Sequence, residues 1–234
     1  MSNSKRGFFG TFIDLASSPR TVFSGIEESD LKRGIILIMT IALLSGWAGM
    51  AYFAKSELQL PNMDSGSRRG SPMFNPGVQD SGEIDIETIR SRLTPFIALG
   101  GMLGAVTRWI IPSILILFTA NIWVGKGSSK RMLAMTSFAS VPRIIQQLLR
   151  IIDSYTLNST DIASLTAMQV PSPGLYGKLV NEVFTVFNLF GVLTIILTVV
   201  AVSVNYEANP RKAAYVTILA YIVYMILRVY LPIL

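Results

Sequence analysis

The sequence predicts an all-α polytopic membrane protein, a five-transmembrane-helix bundle with short amphipathic N-terminal helices. Three observations carry that prediction. The 234 residues are 51% hydrophobic and 15% charged, where soluble domains carry about 25% charged residues, so too little polar sequence exists to enclose the apolar part. Apolar stretches recur at about 34–54, 95–124, 132–152, 183–204 and 213–234, each near or above the roughly 20 residues that a helix needs to cross hydrocarbon. Short basic segments then alternate with two long ones, 55–94 and 153–182, in which lysine and arginine are sparser.

Residues 1–33 read as a cytoplasmic amphipathic region. Phe8, Phe9, Phe12, Ile13 and Ala16 recur at helical spacing behind Lys5 and Arg6, a pattern suited to the headgroup layer. Ser18 as N-cap and Pro19 at the first helical position then start a second short helix. It carries Val22, Phe23 and Ile26 on one face and Glu27, Glu28 and Asp30 on the other. Packing under the bundle and docking of a partner are both open to this region.

In the first span, 34–54, Ala42, Gly46 and Gly49 form a thin stripe for close helix packing. Segment 55–94 is rich in Gly, Pro, Ser and Asn through 61–82 and ends in a short surface helix, 84–93. The second span, 95–124, offers Gly100, Gly101 and Gly104 as a packing face, and Pro112 predicts a kink. Residues 125–131 form a tight turn with three bases, Lys126, Lys130 and Arg131, and no acid. The third span, 132–152, is unusually polar and contains Pro142. Segment 153–182 holds a strong turn signal at 171–174 before the fourth and fifth spans. No internal repeat is convincing, which counts against an inverted-repeat transporter.

With the amino terminus inside, ten lysines and arginines fall in inner segments and six in the longer outer ones. The positive-inside rule therefore predicts a cytoplasmic amino terminus and an outside carboxyl terminus. Asn158 begins an Asn-Ser-Thr glycosylation sequon on the expected outer side.

Four arginines remain inside spans: Arg108, Arg143, Arg150 and Arg228. A guanidinium near the bilayer centre costs about 2.5–3.5 kcal/mol on insertion scales, so each needs a partner or a way out. Arg108, Arg150 and Arg228 lie in the outer half and are expected to snorkel outward. Arg143 lies near mid-depth. Thr136, Ser140, Arg143, Gln147 and Arg150 recur at steps of four and three, one polar stripe that should face the bundle interior, another subunit or a wet cavity. Asp153, Glu182 and the Leu234 carboxylate are candidate counter-charges, and Asn188 can donate or accept a hydrogen bond. An internal hydrogen-bonded network and a pocket for an anion or lipid phosphate both fit this pattern.

No histidine and no cysteine occur, which removes the commonest general base and the commonest metal ligands. Asp and Glu are absent from the expected span interiors, and no phosphate loop or dinucleotide fingerprint appears. The expectation is a non-enzyme with no cofactor and no metal. The net charge of +6 sits beside apolar spans, where it meets anionic lipid rather than nucleic acid.

Two stretches, Ser18-Pro19-Arg20-Thr21-Val22-Phe23 and the glycine-rich turn from Gly125 to Pro142, together with the five-span layout, resemble the Yip domain family. These are the Ypt/Rab-GTPase-interacting membrane proteins, and the likeness is to the archaeal and bacterial branch. The resemblance implies a non-enzymatic, membrane-organising or partner-binding protein. Its cytoplasmic docking face would comprise Phe8, Phe12, Pro19, Arg20, Phe23, Lys126, Lys130 and Arg131, with membrane lipids and a homo-oligomer or protein partner as contacts. The Asp-Leu-Tyr-Gly-Pro type motif of the eukaryotic branch is absent. The alternative is a transporter or channel subunit for a small anion or lipid headgroup, using the arginine stripe of the third helix.

Overall fold

A computed structural model describes residues 8–55, 86–156 and 175–230. All regular structure among them is helical: α1 (Phe8–Ser17), α2 (Pro19–Ser24), a 3₁₀ turn (Glu28–Asp30), α3 (Leu31–Lys55), α4 (Ile86–Trp123), α5 (Ser129–Ala139), α6 (Pro142–Thr156), α7 (Leu175–Val186), α8 (Leu189–Asn205) and α9 (Pro210–Tyr230). Three helices are long and apolar enough to cross a membrane, over Glu28–Lys55, Arg90–Trp123 and Pro210–Tyr230. A fourth is added if α7 and α8, bent by 64° at a short break, count as one span.

The stretch expected as the third span, 132–152, is divided. Proline has no N–H for the carbonyl four residues back, and its ring disfavours helical geometry in the residue before it. Accordingly α5 ends ahead of Pro142 in a tightened turn, with Ser140 N donating to Ser137 O and Val141 N to Phe138 O, both at 3.1 Å. Pro142 then opens α6. The fourth stretch is also bent. Asn188 ends α7 and caps α8, its Oδ1 accepting from Gly191 N at 2.8 Å while its Nδ2 donates to Thr185 O at 2.8 Å. α4, by contrast, runs helical through Pro95 and Pro112 and absorbs the surface helix expected over 84–93 from Ile86 onward.

α3 and α4 make the most extensive helix pair. Backbones approach there because side chains are missing. A Cβ on Gly101 would lie 2.9 Å from Ser45 O, and one on Gly46 would lie 2.9 Å from Ala98 O. Gly100 and Gly104, expected on the same face, have open space instead. At roughly 3.6 residues per turn Gly100 stands about 100° round the helix from Gly101, and the contact with α3 is centred on Gly101.

The core centres on α5. Met132, Ala134, Met135, Thr136, Ser137, Phe138 and Ala139 are all buried, packed among residues of α2, α3, α4, α8 and α9 that include Phe23, Leu37, Ile116, Val202 and Tyr224. Small residues suit a helix surrounded on every side, since they let neighbouring backbones close in.

Candidate functional site

The bundle has two chemically different ends. At one end the amino-terminal helices, the α4–α5 turn and the α8–α9 turn form a platform. Pro19 opens α2 at its first position, and Ser18 stands at the N-cap. The Ser18 side chain makes no capping bond; its backbone carbonyl accepts from Thr21 N and Val22 N. Phe23 is fully buried, with Ile26 and Leu15 nearly so, so α2 belongs to the core, whereas α1 packs on α2, gives the core Leu15 and leaves Ile13 exposed. Arg131 reaches back to this segment, its Nε donating to Ile26 O at 2.8 Å and its Nη2 to Ser24 O at 3.2 Å. Ser128 caps α5 by accepting from Arg131 N at 3.2 Å and donates to Glu28. Asn205 Nδ2 closes the ring by donating to Ser128 O at 3.2 Å. Burial raises the pKa of the Tyr206 hydroxyl beside it.

Arg20, Lys126 and Lys130 remain exposed on this platform, as do Lys32, Arg33, Arg211 and Lys212. Of the residues assigned to docking by resemblance, Phe23 and Arg131 are therefore internal supports, while Arg20, Lys126 and Lys130 are available at the surface. For Phe8 and Phe12 the structure describes the backbone alone, and Asn158 lies outside the described residues. A groove of about 410 Å³ runs between α2 and the α8–α9 turn, with Arg20 and Ser24 on one side and Glu207 on the other. Glu207 holds its turn at φ +49°.

The other end holds a partly open cavity of about 370 Å³ between α3, α4, α6, α7, α8 and α9. Arg108, Arg143, Arg150 and Arg228 all line it, with Gln147, Asn188 and Tyr224. At about 1.5 Å of rise per residue, Arg108 stands about 22 Å from the platform end of α4, beyond the middle of a roughly 30 Å hydrocarbon core. α6 explains the convergence. Ile145, Leu148, Leu149, Ile152 and Tyr155 are exposed along one face, as lipid-facing residues would be. Its opposite face buries Gln147, holds Arg143 half-buried and brings Arg150 to the exposed rim of the cavity. The polar stripe read from the sequence thus faces inward, although the break before Pro142 separates Thr136 and Ser140, both buried in or just after α5, from the rest.

Arg108 does not turn outward beside Trp109. Its Nε is buried without a partner, and Trp109 Nε1 donates inward to Thr136 Oγ1 at 3.3 Å. Sequence spacing gives depth along a helix but not azimuth, so the convergence of Arg108 and Arg228 on the α6 stripe is a product of packing. Arg228 pairs with Glu182 at 2.7 Å and lies 6.0 Å from the Tyr224 ring centre. Arg150 sits over Tyr52 at 5.8 Å. For Arg108, Arg143 and Arg150 no carboxylate lies in ion-pair range among the described residues. Gln147 Oε1 and the Tyr224 hydroxyl are buried there without hydrogen-bond partners. Thr136 joins Trp109 and Ser113 in hydrogen bonds between α4 and α5, whereas Gln147 on the α6 part of the stripe leaves its Oε1 without a partner. The arrangement can accept an anion, and among the described residues no cluster of His, Cys, Asp or Glu could hold a metal.

A family model, that of the Yip1 domain, matches residues 13–231. No curated protein and no solved structure matches the chain significantly.

Proposed function

The chain belongs to the Yip1 domain family, and from that premise we propose that it is a non-enzymatic multi-pass membrane protein that organises its membrane by docking a protein partner on the platform. The platform supports this reading because Arg131 and Glu28 lock the amino-terminal segment to the α4–α5 turn, which presents Arg20, Lys126 and Lys130 on a rigid surface. A five-pass topology accompanies the proposal, with α5–α6 and α7–α8 as bent third and fourth passes. The platform would face the cytoplasm of a prokaryotic cell, since its exposed bases satisfy the positive-inside rule, and the carboxyl terminus would lie outside.

Deleting the first 30 residues is a poor test, because it would strip Phe23 and Ile26 from the core. Charge reversal is cleaner. The triple variant Arg20→Glu, Lys126→Glu, Lys130→Glu should lose proteins photo-crosslinked to the platform in native membranes while keeping its helical circular dichroism. An unchanged crosslinking pattern would refute docking.

The arginine-lined cavity favours a second reading, a transporter or channel subunit for a small anion or lipid headgroup. Wild-type protein in liposomes would then conduct an anion, and R143Q would not.

A further inference from the structure

The cavity end is short of one kind of chemistry. Three guanidinium groups, those of Arg108, Arg143 and Arg150, share a space of about 370 Å³ without an ion-pair partner among the described residues. Arg108 and Arg143 are half-buried and Arg150 stands exposed at the rim, and like charges gathered partly out of water repel more strongly than in bulk solvent. Packing does not require them, since the outer face of α6 shows that isoleucine and leucine fill helical positions there equally well. A counter-charge from outside the chain removes the repulsion.

We propose that this cavity is a binding site for a phosphate group, held as a resident ligand rather than passed through the protein. Guanidinium forks match phosphate oxygens two at a time, which a halide cannot use. The volume lies within the roughly 300–1,000 Å³ typical of small-molecule sites and far exceeds a bare halide. The two orphaned polar groups refine the choice. The Tyr224 hydroxyl can donate to a phosphate oxygen, while Gln147 Oε1 needs a donor. Hydrogen phosphate supplies that donor from its own hydroxyl, and a phosphoglycerol headgroup from its glycerol; a choline headgroup brings none and adds a cation. The amino-terminal end of α8, at Asn188 and Gly191, also borders the cavity, and its dipole favours negative charge. Residence rather than passage follows from the packing around the site. Ile38, Ile41, Ala42 and Ala105 pack together as an apolar cluster at the α3–α4 wall, and the buried α5 cluster fills the space toward the platform.

This site is independent of docking on the platform, and its test reads ligand binding. The full chain, purified in phosphate-free detergent, is titrated with inorganic phosphate, with dioctanoyl phosphatidylglycerol and with dioctanoyl phosphatidylcholine, using calorimetry and native mass spectrometry. Phosphate, phosphatidylglycerol or both should bind, with phosphatidylcholine at least tenfold weaker; whichever of the first two binds identifies the source as free or lipid-borne. R143Q should weaken binding at least tenfold. R143K keeps the charge and the fold but loses the fork, and should also weaken it. Failure of both phosphate and phosphatidylglycerol to bind wild type, or undiminished binding by both variants, overturns the proposal. Phosphate flux through wild-type liposomes that R143Q abolishes would overturn residence and leave transport.

Discussion

The platform and the cavity use arginine in opposite ways. Arg131 at the platform donates to two backbone carbonyls that would otherwise be left short of donors where α2 ends. Arg108 in the cavity has its Nε buried and unpaired, among three other arginines. The same side chain closes a structure at one end and leaves the other open. Hydrogen bonds from a charged donor to a fixed acceptor contribute about 1.5–3 kcal/mol, whereas a buried unpaired charge destabilises the fold that holds it. Proteins accept such local instability where a ligand is to be met.

Four substitutions probe that contrast. The largest effect is expected from Glu182→Gln, which removes the carboxylate that balances Arg228 at the cavity end. Glu182 and Arg228 are largely shielded, at 18% and 17% side-chain exposure, so breaking the pair should cost about 3 kcal/mol. The double variant E182Q/R228Q should recover most of this in thermal unfolding in detergent. Equal losses in the single and double variants would mean that the pair is not coupled.

Next comes Arg131→Ala at the platform, expected to cost about 2 kcal/mol. Hydrogen exchange should rise over residues 19–30 and stay unchanged in α9; uniform acceleration would show that the platform is no separate unit. Arg108→Met should act in the other direction, raising the melting temperature in phosphate-free detergent by the equivalent of about 1 kcal/mol, because methionine fills similar space without the charge. A fall would show that Arg108 is already satisfied. Ser128→Ala comes last, removing the α5 cap at a cost of about 1 kcal/mol together with the bond to Glu28, read as faster exchange in the first turn of α5 and over residues 28–30.

Much of this contrast is legible in residue order. The amphipathic amino terminus, the basic turns and the inward α6 stripe follow from spacing, because helical periodicity assigns residues to faces before any partner is known. The break before Pro142 was foreshadowed by the proline, yet a proline of the same type at position 112 leaves α4 continuous. What differs is the neighbourhood. Ser113 Oγ, next to Pro112, lies 2.9 Å from Thr136 Oγ1, which ties this turn of α4 to α5 while the Arg108 carbonyl goes without the bond that proline cannot donate. The role of α5 had no signal in composition. Its Thr136 and Ser137 look too polar for a helix buried on nearly every side, and its own backbone satisfies them, Thr136 Oγ1 donating to Leu133 O at 3.0 Å and Ser137 Oγ to the same carbonyl at 2.8 Å.

From the order of residues alone came the membrane class, the apolar stretches and the inward face of α6, since these depend on solvent transfer and helical repeat, which are local properties. Which way Arg108 and Arg228 turn, that Glu182 neutralises one arginine and not the others, and that Phe23 is core rather than surface depended on helix azimuth and on contacts between distant segments. Those are set when the helices pack against one another, and no single helix contains the information.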